Sequence, residues 1–91
     1  MATRDEPDTL LEFPCDFPIK VMGRGDSDLP NRVHELVRRH APDTPQSAIT
    51  TRPSRKGNYL AVTVTIRATS KDQLDAIYRE LTAQEWVLWA L

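Results

Sequence analysis

An α+β sandwich, with two helices laid on one face of a four-stranded antiparallel sheet in the order βαββαβ, is the fold that the sequence predicts. Three observations lead to it. From residue 59 onward the chain alternates: Leu60, Val62, Val64, Ile66 and Ala68 share one face, while Tyr59, Ala61, Thr63, Thr65 and Arg67 share the other, the pattern of a half-buried strand. That strand runs into Ser70-Lys71-Asp72-Gln73, a Ser-x-x-Gln capping box, after which Leu74, Ile77, Tyr78 and Leu81 recur at helical spacing. A similar strand-to-helix passage lies nearer the N-terminus, so the two βα halves make the split βαβ arrangement, with the first and third strands central and the second and fourth at the edges.

The elements follow in order. Residues 1–9 are charged, poor in apolar side chains and broken by Pro7, which predicts a mobile tail before a single domain over 10–91. Leu10, Leu11 and Phe13 begin the packed region. Pro14 and Pro18 make 13–17 an extended, irregular lead-in, since each proline lacks a donor and disfavours helix in its predecessor. A first strand is expected over 19–24. Gly23 and Gly25 bracket its end, and Asp26, Ser27 or Asp28 can cap a helix that tolerates Pro30 in its first turn. Leu29, Val33, Leu36 and Val37 form that helix's apolar stripe, and it stops near His40-Ala41-Pro42. Residues 48–53 read as a second strand, where Pro53 argues for an edge position. A turn over 54–58 follows, with Gly57 and Asn58 able to take positive φ. Residues 86–91 make the last strand.

With 91 residues the chain can bury roughly two thirds of its unfolded surface without metal or disulfide support. Its 12 basic and 13 acidic residues give a net charge of −1, so no global basic field drives nucleic-acid binding and any such contact must be local. Cys15 is the only cysteine. Asp16 and Glu12 beside it work against a thiolate, and it reads as a small packing residue. No apolar run approaches the roughly 18 residues of a membrane span. The polar start of the chain does not resemble a signal peptide. A cytoplasmic protein is expected.

No constellation of residues amounts to a catalytic or cofactor motif. Asp72, Asp75 and Glu80 are interleaved with Lys71 and Arg79, as on a solvated helix face. His34 and His40 lie six apart, which does not aim two imidazoles at one metal; His34 reads as a surface residue and His40 as a partner for the helix C-terminus. Gly23, Arg24, Gly25 and Asp26 at the first strand-to-helix turn could present N–H groups to a carboxylate, an amino acid or a phosphate, or could be there only to turn tightly. The stretch 56–62 is similar to the third-strand signature of RNA-recognition domains. Lys20 and Met22, however, take the outward positions of the first strand, where a stacking aromatic would be needed. Lys20, Arg52, Arg55, Lys56 and Arg67 could still form a basic patch, the alternative being an edge guarded by charge. The terminal Trp86, Leu88, Trp89 and Leu91 are apolar on both faces of their strand. They predict either cover by the Leu10–Phe13 lead-in or contact with a partner, including a weak symmetric dimer through the strand edge.

As a set, Leu11-Glu12-Phe13-Pro14, Phe17-Pro18, Lys20-Val21-Met22-Gly23, His40-Ala41-Pro42, Ser54, Lys56-Gly57-Asn58-Tyr59 and Tyr78-Arg79-Glu80-Leu81 resemble the YbeD-like family of small uncharacterised bacterial proteins over about 10–91. The resemblance implies a ferredoxin-like fold similar to ACT-type regulatory domains. It brings no catalytic residues. The family's gene context implies a link to lipoate attachment, and the longer acidic N-terminus is a departure. Together these observations predict a non-enzymatic regulatory or adaptor domain without a cofactor, binding a protein partner or a small ligand. A nucleic-acid-binding domain is the alternative.

Overall fold

A computed structural model of the protein describes residues 12–25 and 28–91. The expected tail over 1–9, Leu10 and Leu11, and the capping candidates Asp26 and Ser27 lie outside the described residues. The elements are β1 (Cys15–Arg24), α1 (Leu29–Arg38), a 3-10 turn (Gln46–Ala48), β2 (Ile49–Pro53), β3 (Tyr59–Ala68), α2 (Lys71–Thr82) and β4 (Trp89–Ala90). The sheet order is β2-β3-β1-β4, every pair being antiparallel. This is the ferredoxin-like sandwich, with central and edge strands as the split βαβ motif requires.

Alternation decides which face is covered. Ile19, Val21, Val62, Val64, Ile66 and Ala68 are buried, and Val33, Leu36 and Val37 of α1 and Leu74, Ile77 and Leu81 of α2 close over them. Both helices therefore lie on one side. On the other side the register aligns Arg52, Ala61, Met22 and Trp89 in one row across the four strands. Thr50, Thr63 and Lys20 form the next row, which Leu91 extends by exchanging two backbone hydrogen bonds with Lys20 (2.9 and 2.7 Å).

Four expectations are corrected. β1 begins at Cys15, not at residue 19, and passes through Pro18. Lys20 directs its N–H and C=O toward Leu91, so by alternation residue 18 faces the same way. β4 pairs only with Val21 and Met22, and the missing donor of Pro18 thus faces an unpaired edge and costs no ladder bond. The last strand is two residues long, not six. The chain after α2 instead turns, with Val87 N–H donated to Gln84 O (3.2 Å), and Trp86 packs against the core before pairing starts. His34 is not a surface residue: it is 8% exposed, and its Nε2 donates to the carbonyl of Thr44 (2.9 Å). The loop after α1 folds over it and satisfies the buried ring. His40 does not serve the end of α1 but reaches across to Glu80 of α2 (2.6 Å).

Local chemistry otherwise matches the sequence. Ser70 caps α2 by accepting the N–H of Gln73 (3.1 Å), while the Gln73 side chain accepts from Thr69 N–H (2.8 Å), one residue short of the reciprocal bond of a capping box. Asp28 stands at the N-cap of α1 without a side-chain cap bond; its carboxylate instead lies 3.5 Å from Arg32. Gly57 takes φ +77° in the β2–β3 hairpin and Asn58 does not take positive φ, as a single left-handed residue is enough for this turn.

Candidate binding face of the sheet

The uncovered side of the sheet gathers side chains that are far apart in the sequence. Tyr59 (45% exposed), Trp89 (43%) and Leu91 (68%) are among the exposed large apolar residues of the protein, and strand phase puts all three on the helix-free face beside Met22 and Ala61. Leu88 is also exposed, in the turn leading into β4, where its N–H is donated to Met22 O (2.8 Å). Exposed apolar side chains grouped on one face differ from the ordinary scatter of single residues.

Charge on this face is mostly positive: its one acid on β1, Asp16, lies at the far end, paired with Arg67. Lys20, Arg24 and Arg52 alternate onto it and are exposed, and none of them makes an ion pair among the described residues. Arg55 and Lys56 stand exposed at the hairpin tip, toward the Tyr59 end. Arg67 is at the opposite end of β3, where it pairs with Asp16 (3.4 Å). Of the five residues expected to form a basic patch, the fold thus brings Lys20 and Arg52 onto one surface, leaves Arg55 and Lys56 at its margin and separates Arg67 by about 13 Å of strand. Arg24 joins the patch, although sequence reading had placed it in the glycine turn. The signal was available in the parity that Arg24 shares with Lys20.

Of the terminal residues expected to meet the lead-in or a partner, Trp89 lies on this face, so the fourth strand supplies the outward aromatic that the first lacks. Trp86 lies apart from it, half-buried against the core.

The glycine turn is accounted for by close packing. A Cβ on Gly23 would lie 2.7 Å from the Trp86 carbonyl oxygen and 2.9 Å from Leu29 Cδ2, and one on Gly25 would collide with the Gly57 carbonyl. The Gly25 N–H is donated to Asn58 O (2.9 Å), which removes it from any anion at that position. A separate cleft of about 540 Å³ opens between the 40–48 loop, the end of β3 and the start of α2, lined by His40, Asp43, Thr44, Arg67, Thr69 and Gln73 among others. Its polar groups are largely engaged: His40 with Glu80, Arg67 with Asp16, and Gln73 Nε2 with His40 O (2.8 Å). Among the described residues no group of three His, Cys, Asp or Glu side chains converges as metal ligands, and no helix is long and apolar enough to cross a membrane.

A four-stranded antiparallel sheet backed by two helices, with its other face open, defines a ferredoxin-like α+β domain. The solution structure of HP0495 from H. pylori has this architecture, aligning with a TM-score of 0.68 over 89% of this chain and 85% of that one at 13% identity. The chain belongs to the family described as "Protein of unknown function (DUF493)", whose profile matches residues 8–91. It is similar to a UPF0250 protein of Neisseria gonorrhoeae, 49% identical over 87 residues and 96% of each chain. A UPF0250 protein of Janthinobacterium sp. (strain Marseille) is 43% identical over the whole of both chains. The YbeD-like resemblance read from the motifs is this family.

Proposed function

We propose that the protein is a small regulatory or adaptor domain without catalytic activity of its own, and that it binds a protein partner through the helix-free face of its sheet. The observation that carries this reading is the placement of Tyr59, Trp89 and Leu91 with Met22 on one solvent-facing surface. A half-covered sheet is stable with a polar outer face, so large apolar groups there are not needed for folding and support a contact role. Capture of partners from the native host should be compared for wild type, for a Trp89→Ala/Leu91→Ser variant and for an Asp75→Ala variant on the helix side, each checked for native circular dichroism. Loss of the same captured protein with the first variant alone supports the reading; equal capture by all three sinks it.

The cleft beside His40 and Gln73 favours a second reading, in which a small ligand regulates the domain. Thermal shift across amino acids, lipoate and nucleotides tests it, since a ligand that binds the native state raises its stability by mass action. Saturable stabilisation by one compound, abolished by Arg67→Ala or Gln73→Ala, is the expected result for that reading.

A further inference from the structure

The charge of the sheet is opposite to that of the molecule. β1, β2, β3 and the hairpin between β2 and β3 carry six of the 12 basic residues and one of the 13 acidic ones; the helices, loops and termini hold the remaining acids and a surplus of six negative charges. We infer that the partner of the helix-free face presents an acidic segment bearing apolar side chains, which lies across the rows formed by Arg52, Ala61, Met22 and Trp89 and by Thr50, Thr63, Lys20 and Leu91. This rests on the reading of that face as the binding surface and names the chemistry of its occupant.

Three features select this occupant. Lys20, Arg24 and Arg52 flank the apolar strip of Met22, Trp89 and Leu91 and lack ion-pair partners among the described residues, so carboxylates placed beside apolar groups would meet both kinds of neighbour at once. A second copy docked face to face would set these cations against one another, which opposes association. A nucleic-acid strand would meet Tyr59 and Trp89 two strands apart, about 10 Å across the sheet, with Arg24 and Met22 of β1 between them rather than an adjacent pair of stacking rings.

The test uses the full chain and a short synthetic peptide of Asp, Glu, Leu and Phe, alongside its Asn/Gln counterpart and an oligothymidylate. Amide resonances of the labelled protein are followed during titration. The acidic peptide is expected to shift Lys20, Met22, Ala61 and Trp89 while leaving α1 and α2 in place. Its affinity should fall roughly tenfold in a Lys20→Glu/Arg52→Glu variant, with a smaller loss in Lys20→Ala/Arg52→Ala, as exposed charge pairs of modest individual strength predict. Equal binding of the Asn/Gln peptide overturns the inference. So does tighter, steeply salt-dependent binding of the oligothymidylate, and so do shifts of the same resonances with protein concentration alone, which would assign the face to a second copy. If the neutral peptide binds equally while capture from the host still depends on Trp89, the acidic chemistry fails and the proposed face stands.

Discussion

The Trp86 carbonyl and the Leu29 side chain close over Gly23 so tightly that position 23 admits no Cβ. Gly23→Ala must push α1 or the turn before β4 outward, and overpacking of this kind lowers stability by about 1–3 kcal/mol; the midpoint of denaturant unfolding followed by tryptophan fluorescence should fall accordingly. Tyr78 gives a pH dependence. Burial pushes its phenol above the ordinary 10.0, so the unfolded chain gives up this proton at lower pH than the folded one does. Stability owed to Tyr78 is then level below about pH 10 and declines as pH rises through the folded value. Melting temperatures measured from neutral to strongly alkaline pH should show a shallower alkaline decline for Tyr78→Phe than for wild type. His34 marks a limit of legibility at this scale. It follows Val33 on the edge of the apolar stripe, and only the docking of the 39–45 loop, which brings the Thr44 carbonyl to within 2.9 Å, decides that it is buried. No periodicity within α1 contains that information.

At the level of elements, β3 and α2 were legible because alternation and the Ser70 cap are local signals, and the observed bounds follow them. β1 and β4 were less so, since both depend on which edge is paired. Pro18 reads as a strand breaker until the partner is known, and then proves to sit where no partner strand exists. Pro53 behaves in the same way. Ser54 N–H is donated to Tyr59 O (2.8 Å), so residue 53 of β2 points its backbone away from β3. The outer edge of β2 and the stretch of β1 that β4 leaves unpaired thus each carry a proline in the outward phase, a protection against strand addition there. A Pro18→Thr/Pro53→Thr variant restores an N–H at each edge together with a residue that favours strands. It should keep the native circular dichroism spectrum and scatter more light than wild type as concentration rises; an unchanged scattering profile would mean that the prolines guard nothing.

For the whole molecule, a net charge of −1 concealed two opposite surfaces, because counting along a chain discards the parity that sends Lys20, Arg24 and Arg52 to one side and the helix acids to the other. The candidate face was legible only in fragments for the same reason: its row from Arg52 to Trp89 joins four strands and exists only once register is set. Such a distribution predicts that at neutral pH and low ionic strength the protein is retained on a cation exchanger despite its negative net charge, and that Lys20→Glu/Arg52→Glu elutes earlier. Gln73 has a consequence of another sort. Its backbone N–H meets Ser70, its amide oxygen accepts from Thr69 and its amide nitrogen donates to the carbonyl of His40, so one residue ties the start of α2 to the chain just after α1. The two helix ends should therefore open as one cooperative unit: the amides of Thr69, Gln73, Ala41 and Thr44 would exchange with solvent deuterium at a common opening free energy, and Gln73→Ala would let the two halves fluctuate independently.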